Sequence, residues 1–162
     1  MAPELEPILR SAKAGELSDV CTALDAGLPV DAADERGLTL LIAAATAGHA
    51  EVVTELLGRG ADVEKANEGG RTPLSSAAYR GRVDVIRLLA EHGARLDFVD
   101  SSGRTALMYA AMFNQPDAAW ALMDVGADAE AKDPRGRTAL QLARGVGSTG
   151  VVDVLEGGQP PT

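Results

Sequence analysis

Asp34, Asn67, Asp100 and Asp133 stand 33 residues apart, and this period constrains the fold more than any other feature of the chain. The same step relates Gly37, Gly70, Gly103 and Gly136, then Thr39, Thr72, Thr105 and Thr138. It continues through Leu41, Leu74, Leu107 and Leu140, and through Ala44, Ala77, Ala110 and Ala143. Further on it links Val53, Ile86, Ala119 and Val152, then Leu56, Leu89, Leu122 and Leu155, with Gly60, Gly93 and Gly126 closing the units. A fixed period of this length marks a stack of repeats, each one supersecondary unit.

Each column has a local physical cause. Asp/Asn-x-x-Gly is a turn, in which the side chain accepts from nearby backbone and Gly takes the last turn position. The Thr two residues on suits a helix N-cap, and Pro73 after Thr72 suits a first helical position. Leu followed three residues later by Ala gives one apolar stripe on a first helix. That helix is expected to stop at Gly48, Gly81, Asn114 and Gly147, where Asn is the next best residue after Gly for a left-handed position. A second helix carries Val52-Val53-Leu56-Leu57, Val85-Ile86-Leu89, Ala118-Ala119-Leu122-Met123 and Val151-Val152-Leu155. Only 3% of the 162 residues are aromatic against 46% hydrophobic, so the core must come from closely approaching small and aliphatic side chains.

Such a unit cannot bury its own apolar face, and stacking must do so. Residues 5–33 keep the helical columns (Ile8, Gly15, Val20, Gly27, Val30) without the turn and read as an N-terminal cap, beginning near Pro7. Residues 34–66, 67–99 and 100–132 are full repeats. Residues 133–158 form a C-terminal cap in which Glu156 replaces an apolar residue, and 159–162 are expected to be a disordered tail. With units about 10 Å apart, a single domain over 1–158 would be a rod roughly 50 Å long.

Thr72-Pro73-Leu74-Ser75-Ser76-Ala77-Ala78, Gly48-His49-Ala50-Glu51-Val52-Val53 and Leu56-Leu57-Gly58-Arg59-Gly60-Ala61-Asp62-Val63 resemble ankyrin repeats. The resemblance runs over roughly residues 5–156. It implies an all-α helical repeat solenoid with short β-hairpin-like tips, working as a non-catalytic protein-binding module. One departure is plain: the family's His after Thr-Pro-Leu is Ile42, Ser75, Met108 and Gln141 here.

The chemistry of the chain points the same way. A net charge of −9 argues against nucleic acid and anionic membranes as partners. Cys21, the only cysteine, allows no intrachain disulfide and sits in an apolar-periodic stretch, which predicts a small buried hydrophobe. The N-terminus lacks the basic region of a signal peptide, and Leu38–Gly48 is too short to span a bilayer, so a cytoplasmic protein is expected; as a binding module it is expected to be a monomer. His49 and His92 occupy repeat positions too far apart for metal-ligand spacing. Gly145-Val146-Gly147-Ser148-Thr149-Gly150 falls where the period puts an inter-helix turn, not a phosphate loop. No catalytic residue, metal or cofactor is expected.

Function must then lie in surface residues that break the period. The resemblance places a partner on the concave groove made by the hairpin tips and the exposed face of the first helices. There Tyr79, Met112 and Phe113 form a candidate apolar-aromatic patch, set against the alternative that the rings pack on the hairpins. Arg71, Arg104 and Arg137 share one tip column as a candidate stripe for carboxylates, with Arg80 and Arg135 near, set against simple solvation. Trp120 should face outward on a second helix, as a self-association surface or a ring half-covered by its neighbours. The alternatives to a protein-binding adaptor or inhibitor are a bacterial immunity or chaperone protein for a cognate toxin or enzyme, a self-assembling scaffold, and an enzyme or small-molecule binder.

Overall fold

The computed structural model describes residues 3–160. Its first helices are α1 (Leu5–Ala14), α3 (Leu40–Ala47), α5 (Pro73–Tyr79), α7 (Ala106–Met112) and α9 (Ala139–Val146). They alternate with second helices α2 (Leu17–Asp25), α4 (Ala50–Gly58), α6 (Val83–Glu91), α8 (Pro116–Asp124) and α10 (Thr149–Leu155). The odd helices pack on one another in chain order, as do the even ones, so two layers of antiparallel pairs make the solenoid.

The columns act as their chemistry predicts. Thr39, Thr72, Thr105 and Thr138 are N-caps whose side chains accept from the backbone N–H three residues on. Gln141 completes a capping box by accepting from the Thr138 N–H at 2.9 Å. Leu41, Leu56, Leu74, Ile86, Leu89, Leu107 and Leu122 are all buried to within 1% exposure, joined in one core with Ala44, Ala77, Ala110 and Ala143. The apolar stripe of each inner unit is therefore buried by its neighbours, as stacking requires, whereas Leu140, Val152 and Leu155 of the last unit are half-buried.

The tips are turns rather than strand pairs. Asp34, Asn67, Asp100 and Asp133 each accept, through one side-chain oxygen, from the N–H groups two and four residues ahead. Among the described residues the only bridge is Ala33 with Thr39, so the hairpin character of the tips is slight. Neighbouring tips join through backbone: the Glu68 N–H donates to the Arg36 carbonyl at 3.0 Å and the Ser101 N–H to the Gly69 carbonyl at 3.2 Å. Pro134 occupies the next donor position and has no N–H, so this ladder stops before the last repeat.

A second set of bonds joins the repeats at the far end of the first helices. His49 Nε2 lies 2.9 Å from the Lys13 carbonyl, Arg82 Nε donates to the Thr46 carbonyl at 3.2 Å, and Gln115 Nε2 to the Tyr79 carbonyl at 3.3 Å. Each side chain crosses over the helix-ending glycine of the previous repeat. A Cβ at Gly15 would stand 2.6 Å from the His49 ring, and one at Gly48 2.7 Å from Arg82 Cδ. The column thus needs Gly for space as well as for its left-handed backbone, φ 92° at Gly48. Asn114 is the exception, at φ 50°, and the residue that follows it in the stack is Ser148, whose side chain is too short to cross.

Cys21 is half-buried rather than buried, which corrects the sequence expectation. It stands in the column of Thr54, Arg87, Trp120 and Asp153, on the outward side of the second helices, where every residue is half-buried or exposed. Partial burial, with the Glu55 carboxylate beside it, still pushes the thiol pKa up. At the other end, the Gly157 N–H bonds the Val154 carbonyl and the Gly158 N–H bonds that of Asp153, closing α10. Of the expected tail, Gln159 and Pro160 carry no secondary structure, and 161–162 lie outside the described residues.

Candidate functional site

The exposed face of the first helices is floored by their last turns and walled on one side by the tips. Four residues in one column run along it: Ala47, Arg80, Phe113 and Val146. Phe113 is 43% exposed and Val146 55% exposed, and among the described residues the only other exposed large hydrophobic is Val99. Each of these two follows directly on a first helix or ends it, where the chain turns toward the second helix and no further repeat element covers it.

Rings and guanidinium groups meet at the centre of this face. Tyr79 and Phe113 are in edge-to-face contact with centroids 4.3 Å apart, and Phe113 is stacked with Tyr109 at 6.4 Å. The Arg71 guanidinium lies over both tyrosine rings, 5.1 Å from Tyr79 and 4.9 Å from Tyr109, and Arg80 lies 5.1 Å from Tyr79 on its own account. Phe113 stays open, Tyr79 is half-buried, and Met112 turns toward the core and packs against it. Four of the residues singled out in the sequence, Tyr79, Phe113, Arg80 and Arg71, are thus brought together.

Tyr109 was not foreseen. It is 5% exposed and donates its hydroxyl proton to Asp100 Oδ2. Burial, and then this bond to a carboxylate, raise its pKa above the usual phenol value. Its column holds Ala43, Ser76 and Leu142 in the other repeats, a run of smaller or aliphatic residues, so the one large polar ring was the available signal.

The stripe of arginines divides in the structure. Arg137 is captured by its own turn residue, with Nε at 3.0 Å and Nη2 at 2.8 Å from Asp133 Oδ2. Bonds from the Arg137 and Arg135 N–H groups and from this guanidinium hold the Asp133 carboxyl below its ordinary pKa. Arg104 makes no ion pair among the described residues and lines a cleft of about 170 Å³ together with Arg135 and Arg137.

On the N-terminal side of the rings the face deepens to a cavity of about 480 Å³. Leu38, Ala43 and Ala47 line it with Lys13, Arg80 and Arg82, and no carboxylate does. None of these three cations, nor Arg71, is ion-paired among the described residues. The second-helix layer is different: Arg59 holds Asp25 and Glu55 at 2.6 Å each, and Arg87 holds Asp124 at 2.7 Å.

Trp120 is half-covered. It lines a separate cavity of about 280 Å³ with Met123, Val154 and Leu155, on the second-helix side of the last repeats. His92 bonds back to the Leu88 carbonyl at 2.8 Å, a local contact, and His49 belongs to the inter-repeat set. Among the described residues no three metal-ligating side chains come together, and no helix is long and apolar enough to cross a membrane.

No curated protein matches the chain. The family described as "Ankyrin repeats (3 copies)" matches it over residues 8–100, 42–133 and 95–159, overlapping stretches that cover nearly all of the solenoid. With its 33-residue units, Thr-capped first helices and paired layers accounted for, the chain belongs to the ankyrin-repeat family, whose repeats serve as protein–protein interaction modules.

Proposed function

We propose that this chain is a non-catalytic adaptor or inhibitor that captures a partner protein on the face of its first helices. The observation that carries the reading is the open pair Phe113 and Val146, in one column, beside arginines held on aromatic rings. Large apolar groups left exposed in successive repeats of one face, beside clustered rings, are the kind of surface that marks an interaction site. Tyr, Arg and Phe are also the side chains that concentrate binding energy when water is excluded around them.

Tyr79, Phe113, Arg71 and Arg80 form the centre of the site, with Met112, next to Phe113 in the chain, packed against the core. Arg104 is an outlying contact. Arg137 contributes least, because a partner carboxylate must displace Asp133 to reach it. Both histidines are engaged in hydrogen bonds to carbonyl groups, which supports the non-catalytic reading. Whether the capture inhibits, chaperones or tethers the partner depends on the partner's own active surface.

Affinity capture from the native cell with two matched baits tests the reading, the second carrying Tyr79→Ala, Met112→Ala and Phe113→Ala. Recovery of the partner is expected to fall at least tenfold with the second bait, provided its thermal melt shows a folded array. Equal recovery by two folded baits assigns the partner to another face. The Trp120 cavity is the place to look in that event, since its apolar lining suits self-association, and light scattering at high concentration reads that directly.

A further inference from the structure

The unpaired cations of the groove say what kind of segment fits it. The chain is acidic overall, and its second-helix arginines are already neutralised by carboxylates. The groove is the reverse. Lys13, Arg80 and Arg82 gather around an apolar cavity that no carboxylate lines, and Arg71 is stacked a short way along the same face. A guanidinium lying over a ring keeps its N–H edges in plane and free, which is the geometry that grips a carboxylate through two hydrogen bonds.

We propose that the groove takes an extended acidic peptide segment of the partner protein. Its carboxylates sit on Arg71 and Arg80, and a neighbouring aliphatic or aromatic side chain enters the cavity between Leu38, Ala43 and Ala47. Charge complementarity carries the choice of occupant. A phosphate chain would be drawn to the same cations, but its evenly spaced charges would also run past the exposed Glu35 and Glu68 at the tips. A peptide can place single charges and leave the rest of its length neutral. The proposal rests on the groove being the binding face, as argued above.

Selection of random twelve-residue peptides displayed on phage, against the immobilised full chain, tests it. The recovered peptides should be rich in Asp and Glu next to an aliphatic or aromatic residue. Their labelled synthetic copies should bind at least tenfold more weakly to the Arg71→Gln/Arg80→Gln variant, and more weakly as salt rises. A charge exchange gives the sharper result: Arg80→Glu should lose the acidic peptide and gain its Lys-substituted copy, which no folding defect produces. Peptides without acidic residues that are nonetheless lost on Tyr79→Ala/Met112→Ala/Phe113→Ala overturn the acidic segment and leave the groove standing. Peptides indifferent to every one of these changes overturn both. A library that yields no binder, or a labelled oligothymidine that binds more tightly than any peptide and displaces it, also overturns the proposal.

Discussion

Arg71 and Arg137 occupy the same tip position two repeats apart, yet one lies across two aromatic rings and the other is locked in an ion pair. The difference begins at the turn residue four positions earlier. Asp133 is a carboxylate with its second oxygen unoccupied by the turn, and it takes Arg137. Asn67 has no charge to offer, so Arg71 is released toward the rings. Arg104 is the intermediate case: its turn residue is Asp100, but the outer oxygen of Asp100 is already taken by the Tyr109 hydroxyl. Three identical arginines in a repeated column therefore reach three different states, through neighbours the repeat does not specify. What this teaches is that a repeat column fixes where a side chain starts and not where it ends.

The middle and the end of the array also differ in how firmly they are held, and the largest effect is expected there. Leu89→Ala empties a fully buried site with a repeat on either side and should cost about 2–5 kcal/mol. Leu155→Ala, in the same column but half-buried in the last unit, should cost well under half as much. Denaturant midpoints of the two variants check this, and equal losses would contradict nearest-neighbour stacking.

The glycines under the crossing side chains come next. Gly48→Ala meets both a left-handed backbone and the Arg82 side chain, so a loss of about 1–3 kcal/mol is expected in the same measurement. Asn114→Gly, at the corresponding position before the last repeat, should move stability by no more than about 0.5 kcal/mol, since nothing crosses there. If the two positions respond alike, the crossing bonds do not explain the glycine column.

Smaller again is the acid response of the last tip. Asp133 has a folded-state pKa below its unfolded value, so its contribution is present above about pH 4 and is lost as pH falls through the depressed folded value. Asp133→Asn should remove that part of the decline in stability below about pH 4 while leaving the profile near neutrality flat. An unchanged acid limb in a series of melts would show that the Arg137 pair is not coupled to folding.

The smallest effect on stability is expected from Asn67→Asp, which offers Arg71 the partner that Arg137 has. Loss of exposed cation–π contacts is worth about 0.5–1 kcal/mol and a new surface pair offsets part of it, so the melt should barely move. Binding of the acidic peptides should weaken several-fold, because Arg71 would be occupied. A crystal structure of the variant with Arg71 still over Tyr79 and Tyr109 would show that the turn residue does not govern it.

Much of this was legible before any coordinates. The period, the Thr caps, the glycine stops and the buried Leu and Ala columns all follow from local chemistry repeated in register. Of the proposed site, Tyr79, Arg80 and Phe113 were legible because they break the period at positions that the repeat leaves open. Tyr109 was passed over because its column reads as core, and it is core, yet its hydroxyl reaches the tip and decides the fate of Asp100. Lys13 and Arg82 were also missed. Each belongs to a different repeat from the cavity's apolar lining, and only stacking brings them to one rim. Met112 was placed on the surface by its neighbours, whereas its long unbranched side chain turns inward.

Amino-acid order alone thus determined the repeat, its helices and caps, and which face the repeat leaves open, since each depends on residues within one unit or on identical units meeting. Tertiary structure decided which arginines are free, which rings they lie on and where the cavity opens. Those outcomes depend on single side chains of unlike repeats competing for one another at short range, and that competition has no period.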